Sequence, residues 1–397
     1  MKRILIFSLN YFPYVGGAEV AIKEITDLIA DTEFHLICYR FNADSPACER
    51  IGNVIVHRVG VGKKGMTVEG TFRRIAYLGK IFYVPLAALK AFMLHREGRF
   101  DGAWAMMIYM TFPLVLLRMI GVCIPYVLTL QEGDPFERQF YRLRIRLFAP
   151  LLYYGIRHTS HVQAISAYLL GWARRAGYSG EGSVIPNGVA IEHFTQAFPE
   201  DDVAYVAREL GKKPGDTFLV TTSRLVHKNG IDTVIDALPH LSDGVKFVIA
   251  GSGPLRDALK ARVEMHKLTG RVIFLGEVSQ SEMPLLLAAC DIFIRPSRSE
   301  GLGISFIEAM AAGLPVIATQ EGGLSDFLFD RSRNPDRKPT GYAVTPDAPQ
   351  EVADRVQEIL EHPEQAKEVV ENARALVGEG YDWTAIAPRM RSILLSI

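Results

Sequence analysis

Cysteine is scarce in this 397-residue chain. Cys38, Cys48, Cys123 and Cys290 are the whole set, and no two stand in C-x-x-C spacing. That excludes a cysteine-built zinc site or a dithiol motif and suits a reduced cytosol. Net charge is absent too, with 44 Lys and Arg against 44 Asp and Glu. Nothing in the whole-chain balance points to nucleic acid. There is no short-period repeat and no low-complexity tract. A signal peptide is not expected either. "MKRILIFSLNYFPYVGG" begins basic and turns apolar, but the apolar run is short, lacks a small-residue cleavage site and soon meets Tyr-Phe-Pro and Gly-Gly. It reads as a first buried strand. The apolar stretch 102–130 has the length of a membrane span. Arg118, Pro113 and Pro125 interrupt it, and it divides into a strand (103–107), a helix (about 111–121) and a strand (126–130). Buried parallel strands read as continuous apolar runs of this kind.

What is present is the composition of an ordered globular protein, 49% hydrophobic and 22% charged. The length suits two domains. Zero net charge hides an asymmetry. Residues 1–190 carry 22 basic against 14 acidic side chains, and the remainder carries 22 against 30. Two stretches of the basic half, 72–100 and 138–157, mix arginine and lysine with large apolar residues. Such a mixture suits peripheral contact with anionic headgroups, or apolar faces packed on a sheet with arginines in water.

Strand-like runs alternate with helical periodicity along both halves, and the pattern restarts near 217. This predicts an α/β chain of two doubly wound domains facing across a cleft, with ligands beyond the carboxyl ends of the strands. The expected division is 1–190, 191–378 and a final helix, 379–397, that returns to the first domain. The segment 189–202, where apolar periodicity lapses, is the expected boundary. The polar, Pro-rich stretch 329–341 reads as an exposed loop.

The segment "SEGLGISFIEAMAAGLPV" holds Glu300 and Glu308 around Gly301 and Gly303. On one continuous helix the two carboxylates would lie ~12 Å apart and ~80° around the axis, unable to serve one bond. The glycines suggest a turn, with a helix starting near Ser305. Glycines let backbone N–H groups approach a ligand, and a helix N-terminus favours an anion, so a diphosphate fits there. Glu300 and Glu308 would then reach its two ends, as on a nucleotide sugar. The plainer alternative for Glu308 is compensation of the helix dipole. Arg224 and Lys228, four apart after a strand, would neutralise a leaving diphosphate or form a solvated pair. "AGSGPLRD" places Gly251 and Gly253 in a turn opening a helix, with Pro254 as the helix-start residue. "FPYVGGAE" gives the first half its own glycine turn at Gly16 and Gly17.

Together, "GGAE", "VIPNGV", "SRLVHKNGIDTVIDAL", "GSGPL", "FLGEV", "DIFIRPSRSEGLGISFIEAMAAGLPVIAT" and "YDW" resemble glycosyltransferase family 4 over nearly the whole chain. The resemblance implies the GT-B fold, with two Rossmann-like domains. It also implies a retaining, metal-independent transferase that moves a hexosyl group from a UDP- or GDP-sugar to a glycan or lipid-linked acceptor, as in polysaccharide biosynthesis. By that resemblance Arg224 and Lys228 stabilise the departing diphosphate, Glu300 contacts sugar hydroxyls and Glu308 holds the ribose. Gly301, Leu302, Gly303, Ile304 and Ser305 lie along sugar and phosphates. Glu277 and Val278 lie near the base, Gly251 and Gly253 line the same side, and Gly16 and Gly17 close on the diphosphate. The nucleotide sugar is a co-substrate, and neither cofactor nor metal is expected; the absence of D-x-D agrees. Glu132 and Asp134 read as a loop acid pair. One departure stands out: Gln131 occupies a position where many members have histidine, and it remains a candidate sugar or acceptor contact. A nucleotide-sugar 2-epimerase and a non-catalytic sugar-nucleotide binder stay open as alternatives. The expected location is the cytoplasm, with peripheral contact on the inner membrane face.

Overall fold

The structure is a computed structural model that describes the chain apart from residues 15, 65–71, 135 and 141–146, and the backbone alone at 72–81, 138 and 139. The stretches 72–100 and 138–157 thus lie partly outside the described residues. The chain divides into two compact units: Met1–Asn187 with Trp383–Ile397, and Gly188–Asp382.

The first unit is built on eight strands: β1 (Lys2–Phe7), β2 (Thr32–Tyr39), β3 (Cys48–Ile51), β4 (Val54–Val59), β5 (Gly102–Met106), β6 (Tyr126–Leu130), β7 (His161–Ala164) and β8 (Gly182–Val184). Their order is β3-β4-β2-β1-β5-β6-β7-β8. Every neighbouring pair is parallel except β3 and β4, an edge hairpin turning at Gly52 and Asn53. β5 and β6 are buried along their whole length, so the apolar stretch around them is a sheet interior. Among the described residues no helix is long and apolar enough to cross a membrane. One core joins Ile4, Phe34, Val56 and Trp104 of the sheet to Ile22 and Ile25 of the helix Gly17–Asp27. It also takes in Trp383, Ile386, Met390 and Leu394 of the helix Trp383–Ser396.

The second unit has six strands, all parallel: β9 (Thr217–Thr222), β10 (Val245–Ala250), β11 (Val272–Gly276), β12 (Ile292–Arg295), β13 (Val316–Ala318) and β14 (Tyr342–Ala343). They are ordered β11-β10-β9-β12-β13-β14. The sheet core carries Leu219, Phe247, Ile249, Ile292 and Ile294, covered by Val234, Val352 and Val356 from the helices Ile231–Ala237 and Pro349–Glu361. Each sheet grows outward in both directions from an inner pair, β1 and β5 in the first unit, β9 and β12 in the second. The carboxyl ends of such a pair diverge and leave a crevice, the usual ligand position in doubly wound sheets.

Two local expectations differ from the structure, at Pro254 and at 329–341, and the expected boundary segment is partly helical. The segment 189–202 holds the helix Ile191–Thr195 and the start of a second, Glu200–Glu209. Pro254 lies in the turn ahead of its helix, which begins at Arg256. The loop 329–341 is anchored rather than wholly exposed: Asp330 and Thr340 are buried, and the Asp330 carboxylate accepts from Ser332 and from the Ala343 N–H of β14.

Candidate functional site

The crevice between β9 and β12 collects most of the sequence candidates of the second unit. β12 ends on Arg295, and the turn Pro296–Gly303 leads into the helix Ile304–Ala312. That helix starts one residue before the expected Ser305. Its cap, Gly303, has φ of 90° and no side-chain oxygen, so the first-turn N–H groups gain no side-chain cap there. A methyl group on Gly303 would stand 2.5 Å from the Phe306 ring.

Glu300 lies at the centre of this turn with both carboxylate oxygens engaged. Oε2 accepts from Arg295 Nη2 at 3.0 Å. Oε1 accepts from the Gly301 N–H at 3.1 Å and lies 3.6 Å from Lys228 Nζ. Lys228 comes from the turn after β9, which is held by several bonds. Asn229 Nδ2 donates to the Arg224 carbonyl at 2.7 Å, and the Arg298 N–H donates to the Lys228 carbonyl at 2.7 Å. Arg298 also forks onto Asp232 at 3.0 and 2.9 Å, tying the two turns to the helix Ile231–Ala237. Arg224 is exposed, whereas the Lys228 side chain is largely covered.

Glu308 sits one turn into the helix, buried at 7% exposure. Burial pushes its carboxyl above the usual carboxylate range, against weaker pulls from Gln280, Arg295 and His193. Gln280 Nε2 reaches it at 3.5 Å, and the Gln280 carbonyl meets His193 Nε2 at 3.0 Å. The neighbouring strand ends are drawn in by backbone bonds. Gly251 N–H donates to the Gly276 carbonyl at 2.6 Å, and Leu225 N–H to Ser252 at 2.8 Å. Glu277 accepts from the Ser252 hydroxyl, and Val278 is half-buried beside it. Gly253 packs close to the Leu225 backbone. Glu300, Lys228 and Gly301–Ser305 therefore form one cluster with Glu308 behind it, and Gly251, Gly253, Glu277 and Val278 form its flank.

Sequence reasoning passed over Arg295. It is 5% exposed, donates to Ser305 Oγ at 2.7 Å and to the Thr222 carbonyl at 3.2 Å, and lies 4.1 Å over the Phe306 ring. The available signal was an arginine inside the apolar run "DIFIRP".

Gly16, Gly17 and Gln131 belong to the first unit. Gly16 caps the helix Gly17–Asp27, and its N–H donates to Glu19 Oε2 at 2.8 Å. Gln131 follows β6; its Oε1 accepts from Asn187 Nδ2 at 3.0 Å. Glu132 is buried and accepts from the Ile108 and Gln131 N–H groups at 2.8 and 2.9 Å, so this acid is a backbone clasp. Among the described residues, no group of His, Cys, Asp and Glu is placed to hold a metal ion.

Residues 206–376, all in the second unit, match the family model of glycosyl transferases group 1. An uncharacterised glycosyltransferase of Methanocaldococcus jannaschii is 24% identical over 99% of this chain and 98% of its own. A GDP-mannose-dependent alpha-(1-6)-phosphatidylinositol monomannoside mannosyltransferase of Mycobacterium tuberculosis is 31% identical over 59% of this chain; the match spans 62% of that enzyme's length. In fold, the chain resembles sucrose-phosphate synthase from Thermosynechococcus elongatus, with a TM-score of 0.81 at 18% identity over 100% of this chain and 99% of that one. Anabaena HepE, solved with UDP and glucose, gives 0.76 at 21% identity over 100% of both. With a group 1 domain at 206–376 and two Rossmann-like units, the chain is a glycosyltransferase of GT-B fold.

Proposed function

We propose that this enzyme moves a hexosyl group from a UDP- or GDP-linked sugar to a glycan or lipid-linked acceptor, with retention and without a metal. The observation that carries this reading is the Lys228–Glu300 pair in the crevice between β9 and β12, beside the N-terminus of the helix Ile304–Ala312. A diphosphate there meets helix N–H groups and the cations Lys228 and Arg224, which stabilise the charge that develops as the sugar leaves. Glu300, with both oxygens already accepting, serves as a fixed acceptor for sugar hydroxyls. Glu308, one turn into the helix, takes ribose hydroxyls. On a retaining path the departing phosphate takes the acceptor's proton on the same face of the sugar, so no histidine base is needed where Gln131 stands. With its Oε1 taken by Asn187, Gln131 offers amide N–H donors to a sugar or acceptor oxygen in the first unit. There the Gly17 N–H, at the start of its helix, is the amide offered to phosphate, while Glu19 holds the Gly16 N–H. We place the enzyme in the cytoplasm, with its basic first half against the inner face of the membrane.

The deciding experiment incubates the protein with radiolabelled UDP- and GDP-hexoses in EDTA. Release of nucleoside diphosphate is expected, faster with acceptor present. A new nucleotide sugar without release would make it an epimerase, and no conversion at all a binding protein. Full loss in EDTA, restored by magnesium or manganese, would overturn the metal-free step.

A further inference from the structure

Two cations approach Glu300, and they are held very differently. The Arg295 guanidinium is buried, fastened to Ser305 Oγ and the Thr222 carbonyl, and laid over the Phe306 ring. Its bond to Glu300 is 3.0 Å long. The Lys228 ammonium is 3.6 Å from the other oxygen, an ion pair beyond ordinary hydrogen-bond length. Lys228 therefore pairs with Glu300 through the looser of the two contacts. A carboxylate as covered as Glu300, 13% exposed in its side chain, would be costly to leave without a counter-ion. Were Lys228 its main cation, drawing the ammonium toward a phosphate would strand that charge.

We propose that Arg295 is a positioning residue: it is the standing counter-ion of Glu300, so that the Lys228 ammonium turns from that carboxylate to the phosphates of a nucleoside diphosphate without leaving a buried charge unpaired. This rests on the donor-site reading above. Arg295 does not touch the ligand in this account. It acts through Glu300 on the availability of Lys228, and through Ser305 on the start of the helix.

The test is calorimetric binding of UDP and GDP to the wild type, R295M, E300Q and R295M/E300Q. In R295M the carboxylate claims Lys228, and affinity for whichever nucleotide the wild type takes falls by about tenfold or more. In the double variant the claim disappears, and affinity returns to within about threefold of wild type. A merely structural role predicts the reverse, a further loss on adding the second substitution. Wild-type affinity in R295M, or a double variant weaker than R295M, overturns the proposal. Binding of neither nucleotide by the wild type overturns the donor-site reading and this inference with it. Thermal melts check that each variant folds. Should R295M fail to fold, R295K, too short to span Glu300 and Ser305 together, replaces it. A smaller loss rescued by E300Q is then expected, and an unrescued loss or none at all overturns the inference.

Discussion

Glu308 binds its proton more tightly in the folded protein than in the unfolded chain, because burial raises its carboxyl. The stability it allows is complete below the unfolded value and is lost as pH rises through the folded value. Glu308→Gln should therefore raise the melting temperature at neutral pH, an advantage that disappears near about pH 4. The same variant should bind nucleoside diphosphate less well, since the amide replaces the ribose acceptor. Melting curves at the two pH values and a nucleotide titration read both effects; a variant less stable at neutral pH contradicts the first. Lys228→Ala and Arg224→Ala should each reduce turnover far more than donor affinity, the activation barrier rising by ~2.7–4 kcal/mol for one such contact. Steady-state rates at saturating donor measure this, and unchanged turnover in both would remove the role. At this scale the sequence shows chemistry that stands beside a glycine turn better than chemistry that closes an apolar strand. Glu300 and Glu308 announce themselves by flanking glycines. Arg295 closes an apolar strand and reads as its polar end, because only the fold brings Thr222, Ser305 and Phe306 around it.

The strands that carry the site were legible for a plain reason. β5, β6, β9 and β12 are buried on both faces, so nearly every residue in them is apolar or small. β3 was missed because "CERI" is a half-exposed edge with no apolar run. The helix Glu200–Glu209 was missed because its apolar face is short and thinly covered: Val203, Val206 and Ala207 are only half-buried, and no residue is fully buried. Turns differ in what they demand. Gly251 has φ of 147°, and a methyl group on it would stand 1.9 Å from the Ser223 carbonyl oxygen; Gly211 has φ of 77° with nothing within 4 Å. Gly211→Ala should cost ~1–2 kcal/mol from backbone strain alone. Gly251→Ala should cost more and loosen the Ser223–Leu225 turn against its neighbour. Urea unfolding of the two variants tests this, and equal losses would mean that the β9 and β10 turns are not pinned together.

Across the whole molecule, charge and connectivity are both uneven. The first 190 residues carry the basic excess, so sedimentation with vesicles should require anionic lipid and weaken with salt. No binding to anionic vesicles at low salt would argue for a soluble acceptor. The chain also leaves the first unit at Asn187 and re-enters it at Trp383. Trp383 is 6% exposed in the first unit's core, and Trp383→Ala should cost ~3–5 kcal/mol there. A chain stopped after Asp382 should keep the cooperative melting of the second unit and lose that of the first. Retention of both transitions in differential scanning calorimetry would show the final helix to be dispensable. This return has a consequence for the order of folding on the ribosome, where domains generally form as units while the chain emerges. Everything the second unit needs has been synthesised by residue 382, whereas the first unit waits for residues 383–397. The half that is translated later is completed earlier, and the half that starts the chain spends most of translation with one side of its core uncovered.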